Sequence, residues 1–297
     1  MSTDDIVFAN HEANSEATQK RARESNVELM STDLELCKEA DYILSIAPQR
    51  DTRAIADRVI AAVTNSDFMF VERKNPLYFL DLNAVSPRTA REAFDHFASS
   101  APAVKVIDGG IVGSPPKLKD DGSWFCPGFV ISGPHRLHEA PLSGEHLAKI
   151  LNTQHINDDI GAASGVKMCY AALHKGFTAL ATQSLTAAHN LGVMTELQGY
   201  LGDSPLGAYV NSALPVMPPK AYRWVQEMDE IADTFEQDGG FSREESIFRP
   251  IGQVYNLIAN DTELGNEQTD DRQRGKIAED VAALTSAGLE KRKLKTE

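Results

Sequence analysis

Along the first half of the chain, short apolar runs alternate with longer stretches that carry apolar residues at helical spacing. Each apolar run has the length of a buried strand and is followed by polar or helix-capping residues. Strands that alternate with helices in this way predict a parallel sheet covered by helices. The predicted strands are residues 6–10, 27–30, 42–48, 77–85, 104–114 and 128–133.

From about residue 141 the strand-type runs stop, and the remaining sequence is helical in pattern. We therefore expect an α/β domain over residues 1–140 and an all-α domain over residues 141–297. Clefts between domains are common ligand sites, so residues near this boundary are candidates for function.

A predicted helix over residues 162–190 places one long cation, Lys167, among small and apolar residues. Most of its large apolar side chains gather on one face, and a narrow stripe on the other side holds Lys167 with Ser164, Ala171, His174 and Thr178. Two interpretations stay open. The stripe is either the solvated face of an amphipathic helix, or a surface that turns Lys167 towards a pocket.

Composition excludes several classes of function. The formal net charge of −14 argues against binding to nucleic acid or to an anionic membrane. Three cysteines without short spacing, and histidines without zinc-type spacing, predict neither a disulfide framework nor a metal site. No apolar run approaches the length of a membrane span. We expect a cytoplasmic protein.

Two segments carry candidate chemistry at the ends of predicted strands. DLNAVSP (81–87) and DGGIVGSPP (108–116) follow strands directly, where ligands bind in open α/β sheets. The first is equally explained as a capped helix start at Ser86–Pro87. The glycines of the second indicate either a turn whose amides approach a ligand or a plain tight turn.

The order of these segments resembles the β-hydroxyacid dehydrogenase superfamily. APQ (47–49), DLNAVSP, DGGIVGSPP and GAASGVKM (161–168) follow one another as the family's strand-end motifs and interdomain helix do. The segment KAYRWVQEMDEIADTF (220–235) is similar to 6-phosphogluconate dehydrogenase-like proteins. The resemblance implies a Rossmann-like N-terminal domain and a helical 6-phosphogluconate dehydrogenase-like C-terminal domain.

It also implies an NAD(P)-dependent oxidoreductase that acts on a small anionic hydroxyacid, with NADP favoured over NAD as cofactor, and a homodimer formed through the helical domain. Lys167 matches the family's catalytic lysine. The other implied site residues are Gly113, Ser114 and His174 for the substrate, and Ala47, Pro48, Gln49 and Asn83 for the cofactor.

The sequence departs from the family pattern at several positions. Ala171 replaces the asparagine usual four residues after the lysine, and Val112 replaces a serine of the substrate loop. Glu227–Met228 stands where many relatives have a Lys–Asp pair near the cofactor. These changes favour a substrate other than 6-phosphogluconate.

The family's first strand and its G-x-G-x-x-G turn, which binds the cofactor pyrophosphate, have no counterpart in this sequence. Residues 6–10 resemble the family's second strand, so we expect the sheet to lack its central strand and first βα unit. The alternative function is a catalytically silent helical dimer module that has lost dinucleotide binding.

Overall fold

The computed structural model describes residues 8–10, 16–69, 73–269 and 272–296. The chain divides into two compact units, Met1–Lys167 and Met168–Glu297. The first combines strands with helices and the second is helical, which confirms the predicted fold class. The division falls 27 residues after the predicted boundary at 140/141, because a further strand and the start of the longest helix belong to the first unit.

The main sheet of the first unit has five strands in the order β3-β4-β5-β8-β9. β3, β4 and β5 are mutually parallel, β8 runs antiparallel to β5, and β9 is parallel to β8. The strands of the unit are β1 (Phe8–Asn10), β2 (Glu28–Met30), β3 (Tyr42–Ser45), β4 (Tyr78–Asp81), β5 (Lys105–Val112), β6 (Lys117–Leu118), β7 (Trp124–Phe125), β8 (Gly128–Ser132) and β9 (Thr153–His155).

Two smaller sheets accompany the main one. β1 and β2 form a parallel pair, and within the described residues this pair shares no ladder with β3. That separation agrees with the expectation that β1 and β2 lack a bridging strand. β6 and β7 form an antiparallel hairpin. The hairpin and β9 lie where no strand was predicted; each of these strands has only two or three residues, too few to produce a recognisable alternation.

Helices cover the sheet of the first unit, and a capping side chain starts two of them. The Thr32 side chain accepts a hydrogen bond from the Glu35 amide, and the Ser86 hydroxyl accepts one from the Thr89 amide. The helices are α1 (Glu16–Glu24), α2 (Asp33–Glu39), α3 (Thr52–Val63), α4 (Ser66–Met69), α5 (Pro87–Ser100) and α6 (Gly144–Ile150).

The core of the first unit lies on both faces of the parallel strands. Successive side chains of a strand point to opposite faces, so Phe79 and Leu80 of β4 enter different clusters. Phe79 packs against Phe97 of α5, with ring centroids 4.8 Å apart. Leu80 packs with Ile107 of β5. This burial on both faces explains the nearly continuous apolar strands of the sequence.

The second unit is built from helices. Leu185, Leu214 and Ala282 share one buried cluster, while Trp224 and Tyr255 meet edge to face at 5.1 Å. No described helix combines the length and hydropathy required to cross a bilayer. The helices are α7 (Ala162–Leu191), α8 (Met194–Leu201), α9 (Pro205–Val216), α10 (Ala221–Asp233), α11 (Phe248–Asp261) and α12 (Ala278–Thr296), with α7 beginning in the first unit.

The faces of α7 are reversed relative to an ordinary amphipathic helix. Of the polar stripe, Ser164, Ala171 and Thr178 are buried and Lys167 and His174 are partly buried, so the interpretation of a solvated stripe is wrong. The large apolar side chains of the opposite face are exposed instead. Small side chains allow close helix packing, which explains why the stripe rather than the apolar face turns inward.

A buried ion pair crosses the helical unit. Lys175 of α7 donates a hydrogen bond to Glu227 of α10, and both residues are buried. The Lys175 ammonium also lies 5.2 Å from the centroid of the Trp224 ring. Because both side chains are buried, the charge of each is balanced by the other rather than by water.

Removing one partner of this pair should destabilise the protein more than removing both. We expect Lys175→Met to lower the free energy of unfolding by roughly 3–5 kcal/mol, because Glu227 then stays buried without a counter-charge. The double variant Lys175→Met/Glu227→Leu should recover most of that loss. Urea denaturation followed by tryptophan fluorescence measures both, and a double variant no more stable than Lys175→Met would contradict the coupling.

Candidate active site

The carboxyl ends of β3, β4 and β5 bring most of the predicted site residues to one edge of the sheet. These strands are parallel neighbours, so the segments that follow them leave the sheet on the same side. Ala47–Gln49 follows β3, Asn83 follows β4, and Gly113–Ser114 follows β5. Ligands of open α/β sheets bind outside this edge.

Lys167 reaches the same edge from α7. Its amine donates a hydrogen bond of 2.7 Å to the carbonyl oxygen of Ile111, near the end of β5. The stem of the lysine crosses the strand at Gly110, where a Cβ atom would lie 2.7 Å from the Lys167 Cβ. Only glycine allows so close an approach. The amine is thus held at Ile111, two residues before the turn at Gly113. The φ of +117° at Gly113 also favours glycine.

One buried carboxylate, that of Asp108, fixes the start of α7. Its Oδ2 accepts hydrogen bonds from the amides of Gly161 (2.9 Å), Ala163 (3.1 Å) and Ser164 (3.2 Å), and from the hydroxyl of Ser132 (2.9 Å). Its Oδ1 accepts from the Ser164 hydroxyl at 2.6 Å. A carboxylate at a helix N-terminus satisfies free amides and the helix dipole together.

The loop after β3 is held by Asn83. The Asn83 Oδ1 accepts a hydrogen bond of 2.6 Å from the Ala47 amide, and its Nδ2 donates to Ser45 Oγ (2.8 Å) and Asp81 Oδ1 (2.7 Å). Asn83 is buried, and both of its amide hydrogens are used by protein oxygens. The residue is therefore placed to shape the loop rather than to donate to a ligand.

Asp81 is ionisable and almost fully enclosed. Burial, together with the nearby Asp108, raises its pKa from 3.8 to about 6, against the opposing effect of the hydrogen bonds from Asn83. A raised carboxylate pKa means that folding favours the protonated form. The stability of this edge of the sheet consequently depends on pH.

His174 belongs to the second unit, whereas the other predicted site residues belong to the first. Its ring meets Tyr209 and Trp224 edge-on, with centroids 5.8 Å and 6.2 Å away. Its backbone carbonyl accepts hydrogen bonds from the hydroxyls of Thr178 and Tyr209. Within its own unit the residue contributes to packing.

Sequence reasoning missed the part played by Asp108. Gly109 and Gly110 belong both to the predicted strand 104–114 and to the segment interpreted as a turn; they lie within β5, which runs to Val112 before the turn at Gly113. A signal was present: an acidic residue in the middle of an apolar strand requires a buried partner. That partner is the start of α7, which is distant in sequence.

Comparison with known proteins supports the fold. Residues 188–258 match the sequence family described as a domain of unknown function, DUF1932. A 3-hydroxyisobutyrate dehydrogenase from Mycobacterium tuberculosis is similar at 16% identity, with a TM-score of 0.59 over 96% of this chain and 91% of that one. The chain has the 3-hydroxyacid dehydrogenase fold. The resemblance to the β-hydroxyacid dehydrogenase superfamily is thus confirmed at the level of the fold.

Two further structures agree. A conserved hypothetical protein from Sinorhizobium meliloti 1021 is 20% identical, with a TM-score of 0.56 over 95% of this chain and 88% of that one. The protein MTH1747, described as similar in structure to 3-hydroxyacid dehydrogenases, is 22% identical, with a TM-score of 0.53 over 86% of this chain and 88% of that one. No curated protein sequence matches the chain.

Loss of the Asp108 carboxylate should release the start of α7. We expect Asp108→Ala to lower the free energy of unfolding by more than about 3 kcal/mol, because several buried donors lose their acceptor at roughly 1–3 kcal/mol each. The matched control Ser132→Ala, which removes a neighbouring hydroxyl, should cost about 1 kcal/mol. Equal losses in chemical denaturation would contradict the anchoring role.

Asp81→Asn should stabilise the protein in a pH-dependent way. The pKa of Asp81 is higher in the folded state, so the free energy of unfolding falls as pH rises from about 4 to about 6. Asparagine resembles the protonated acid and avoids this loss, which amounts to at most about 3 kcal/mol. Denaturation at about pH 8 should show the gain and at about pH 4 none; a gain independent of pH would contradict it.

Proposed function

We propose that the protein is an NAD(P)-dependent oxidoreductase that oxidises the CH–OH group of a small anionic hydroxyacid. The observation that carries this proposal is the Lys167 amine, held at the carboxyl edge of the parallel sheet next to the Gly113 turn. The fold shared with a 3-hydroxyisobutyrate dehydrogenase supports the reaction class.

Lys167 is the proposed acid–base residue. A neutral amine can accept the substrate's hydroxyl proton while the carbon gives up a hydride, and the resulting ammonium can return a proton to the product. The Ile111 carbonyl orients the amine, and the close contact with Gly110 restricts the lysine stem. Such restriction lowers the entropy lost when the reacting groups come together.

Gly113 and Ser114 are the proposed substrate contacts in the first unit. Both are exposed at the turn after β5, where backbone amides and the Ser114 hydroxyl can donate to a carboxylate. His174 remains a proposed substrate contact from the helical unit.

The residues of the first unit fit the nicotinamide end of a dinucleotide. Ala47, Pro48 and Gln49 form a loop at the carboxyl edge, and Asn83 fixes that loop through the Ala47 amide. The bound nicotinamide supplies the hydride acceptor. No glycine-rich turn for the pyrophosphate occurs among the described residues. NADP is favoured over NAD, by family resemblance.

The remaining parts of the proposal concern organisation. The first unit is assigned to dinucleotide binding and the second to the 6-phosphogluconate dehydrogenase-like helical domain. We expect a homodimer that forms through the helical domain and works in the cytoplasm on a small-molecule substrate, without nucleic acid or membrane as partners.

Replacing Lys167 tests the mechanism. Lys167→Met should lower turnover of 3-hydroxyisobutyrate or another short β-hydroxyacid by roughly 10²–10⁴-fold, because the proton acceptor is lost. The reduction of NADP⁺ or NAD⁺ is followed by absorbance. Lys149→Met, which changes an exposed lysine of α6, is the matched control and should leave turnover unchanged. Equal turnover in both variants would remove Lys167 from the mechanism.

Fluorescence titration of NADPH and NADH separates this proposal from the silent helical module. An oxidoreductase should bind one of them with a micromolar dissociation constant, in the wild type and in Lys167→Met alike. A folded protein that binds neither cofactor would favour the silent module instead.

A further inference from the structure

The outward face of α7 carries large apolar side chains that the described part of the protein leaves largely exposed. Each of these side chains is far more exposed than the residues of the core. Exposed apolar patches of this kind mark interaction surfaces. The exposed fractions are 77% for Leu173, 75% for Leu191, 52% for Leu180, 44% for Tyr170 and 40% for Phe177.

These side chains follow the spacing of a coiled-coil seam. Consecutive positions are separated by alternate steps of three and four residues, the repeat that keeps one stripe of a helix facing a partner helix. Two small residues, Ser184 and Ala187, occupy the steps between Leu180 and Leu191 and are also exposed. We call this set the α7 seam: Tyr170, Leu173, Phe177, Leu180, Ser184, Ala187 and Leu191.

The inward face of α7 is already committed to the helical unit. Thr178, Thr182 and Thr186 are buried, and each hydroxyl donates to the carbonyl four residues earlier, at 2.7–2.8 Å. Lys175 on this face is paired with Glu227. Rotating the helix to bury the seam would break that pair, so the seam needs an external partner.

We infer that the α7 seam pairs antiparallel with the α7 seam of a second copy of this chain, around a two-fold axis between Phe177 and Leu180. This inference rests on the homodimer of the proposed function and specifies its surface. A two-fold axis brings the same patch of both copies together. The seam would then form the centre of the interface.

The antiparallel direction follows from the spacing and the sizes of the residues. From Tyr170 to Ala187 the steps of the seam read the same in both directions, so reversal keeps each of these positions opposite another seam position. Reversal also sets large side chains opposite small ones away from the axis, which lets the two helices interdigitate. The resulting pairs are Phe177 with Leu180, Leu173 with Ser184, and Tyr170 with Ala187.

Charge favours the same surface. The protein has a formal net charge of −14, so two copies repel each other over most of their surfaces. The whole of α7, from Ala162 to Leu191, contains no aspartate or glutamate. Antiparallel pairing also sets the two helix dipoles in opposite directions, which is the favourable arrangement. The seam is therefore a place where two acidic chains can meet at low electrostatic cost.

Disulfide cross-linking tests the pairing. In a Cys126→Ser/Cys169→Ser background, Leu173→Cys/Ser184→Cys should form a covalent dimer on oxidation, detected by non-reducing electrophoresis. Residues 173 and 184 of one helix are about 16 Å apart, too far for a bond within one copy. Leu173→Cys alone should stay monomeric on the gel, because its two copies would lie about 16 Å apart in an antiparallel pair.

The controls decide between the alternatives. Tyr200→Cys, at a highly exposed position of α8 outside the seam, measures random collision and should not cross-link. Cross-linking by Leu173→Cys alone would mean a parallel pair and overturn the inference. A dimer in sedimentation that neither seam variant cross-links would place the interface elsewhere.

A wild-type chain that sediments as a monomer would overturn the dimer itself. The proposed reaction is tested separately, by comparing the turnover of Lys167→Met with that of Lys149→Met. Unchanged circular dichroism of the cysteine variants confirms that each is folded before the gel is interpreted.

Discussion

The Asp108 carboxylate is the contact on which the rest of the first unit depends. It sits in the middle of β5, receives the hydroxyl of Ser132 from β8, and binds the amides of the first turn of α7. These hydrogen bonds fix the first turn of α7 relative to β5. Lys167 therefore follows one turn later at a defined place above Gly110.

Buried ionisable groups in this protein are stabilised in different ways. Asp108 stays buried because donors surround it, and Lys175 and Glu227 neutralise each other. Burial, and then the nearby Asp108, raise the pKa of Asp81 to about 6 against the hydrogen bonds from Asn83. The contacts of Asp108 fix the start of α7, and the Lys175–Glu227 pair joins α7 to α10. Asn83 binds Asp81 and holds the Ala47 loop.

Much of the candidate site was predictable because it consists of strand ends. Asn83 and the Gly113 turn follow apolar runs that the sequence identifies, and parallel neighbours must end at one edge. The contact between Lys167 and Ile111 was not predictable, since it depends on a glycine 57 residues before the lysine. Asn83, a predicted cofactor contact, holds the Ala47 loop through a hydrogen bond that the sequence does not reveal.

The sequence by itself determined the type and order of most elements and the cap at Ser86, because these depend on local periodicity and capping. Tertiary structure decided which face of α7 turns inward. Periodicity defines two faces of a helix but does not say what each will meet. Here packing against small residues and the Lys175–Glu227 pair outweighed the burial of large apolar side chains, which were left exposed.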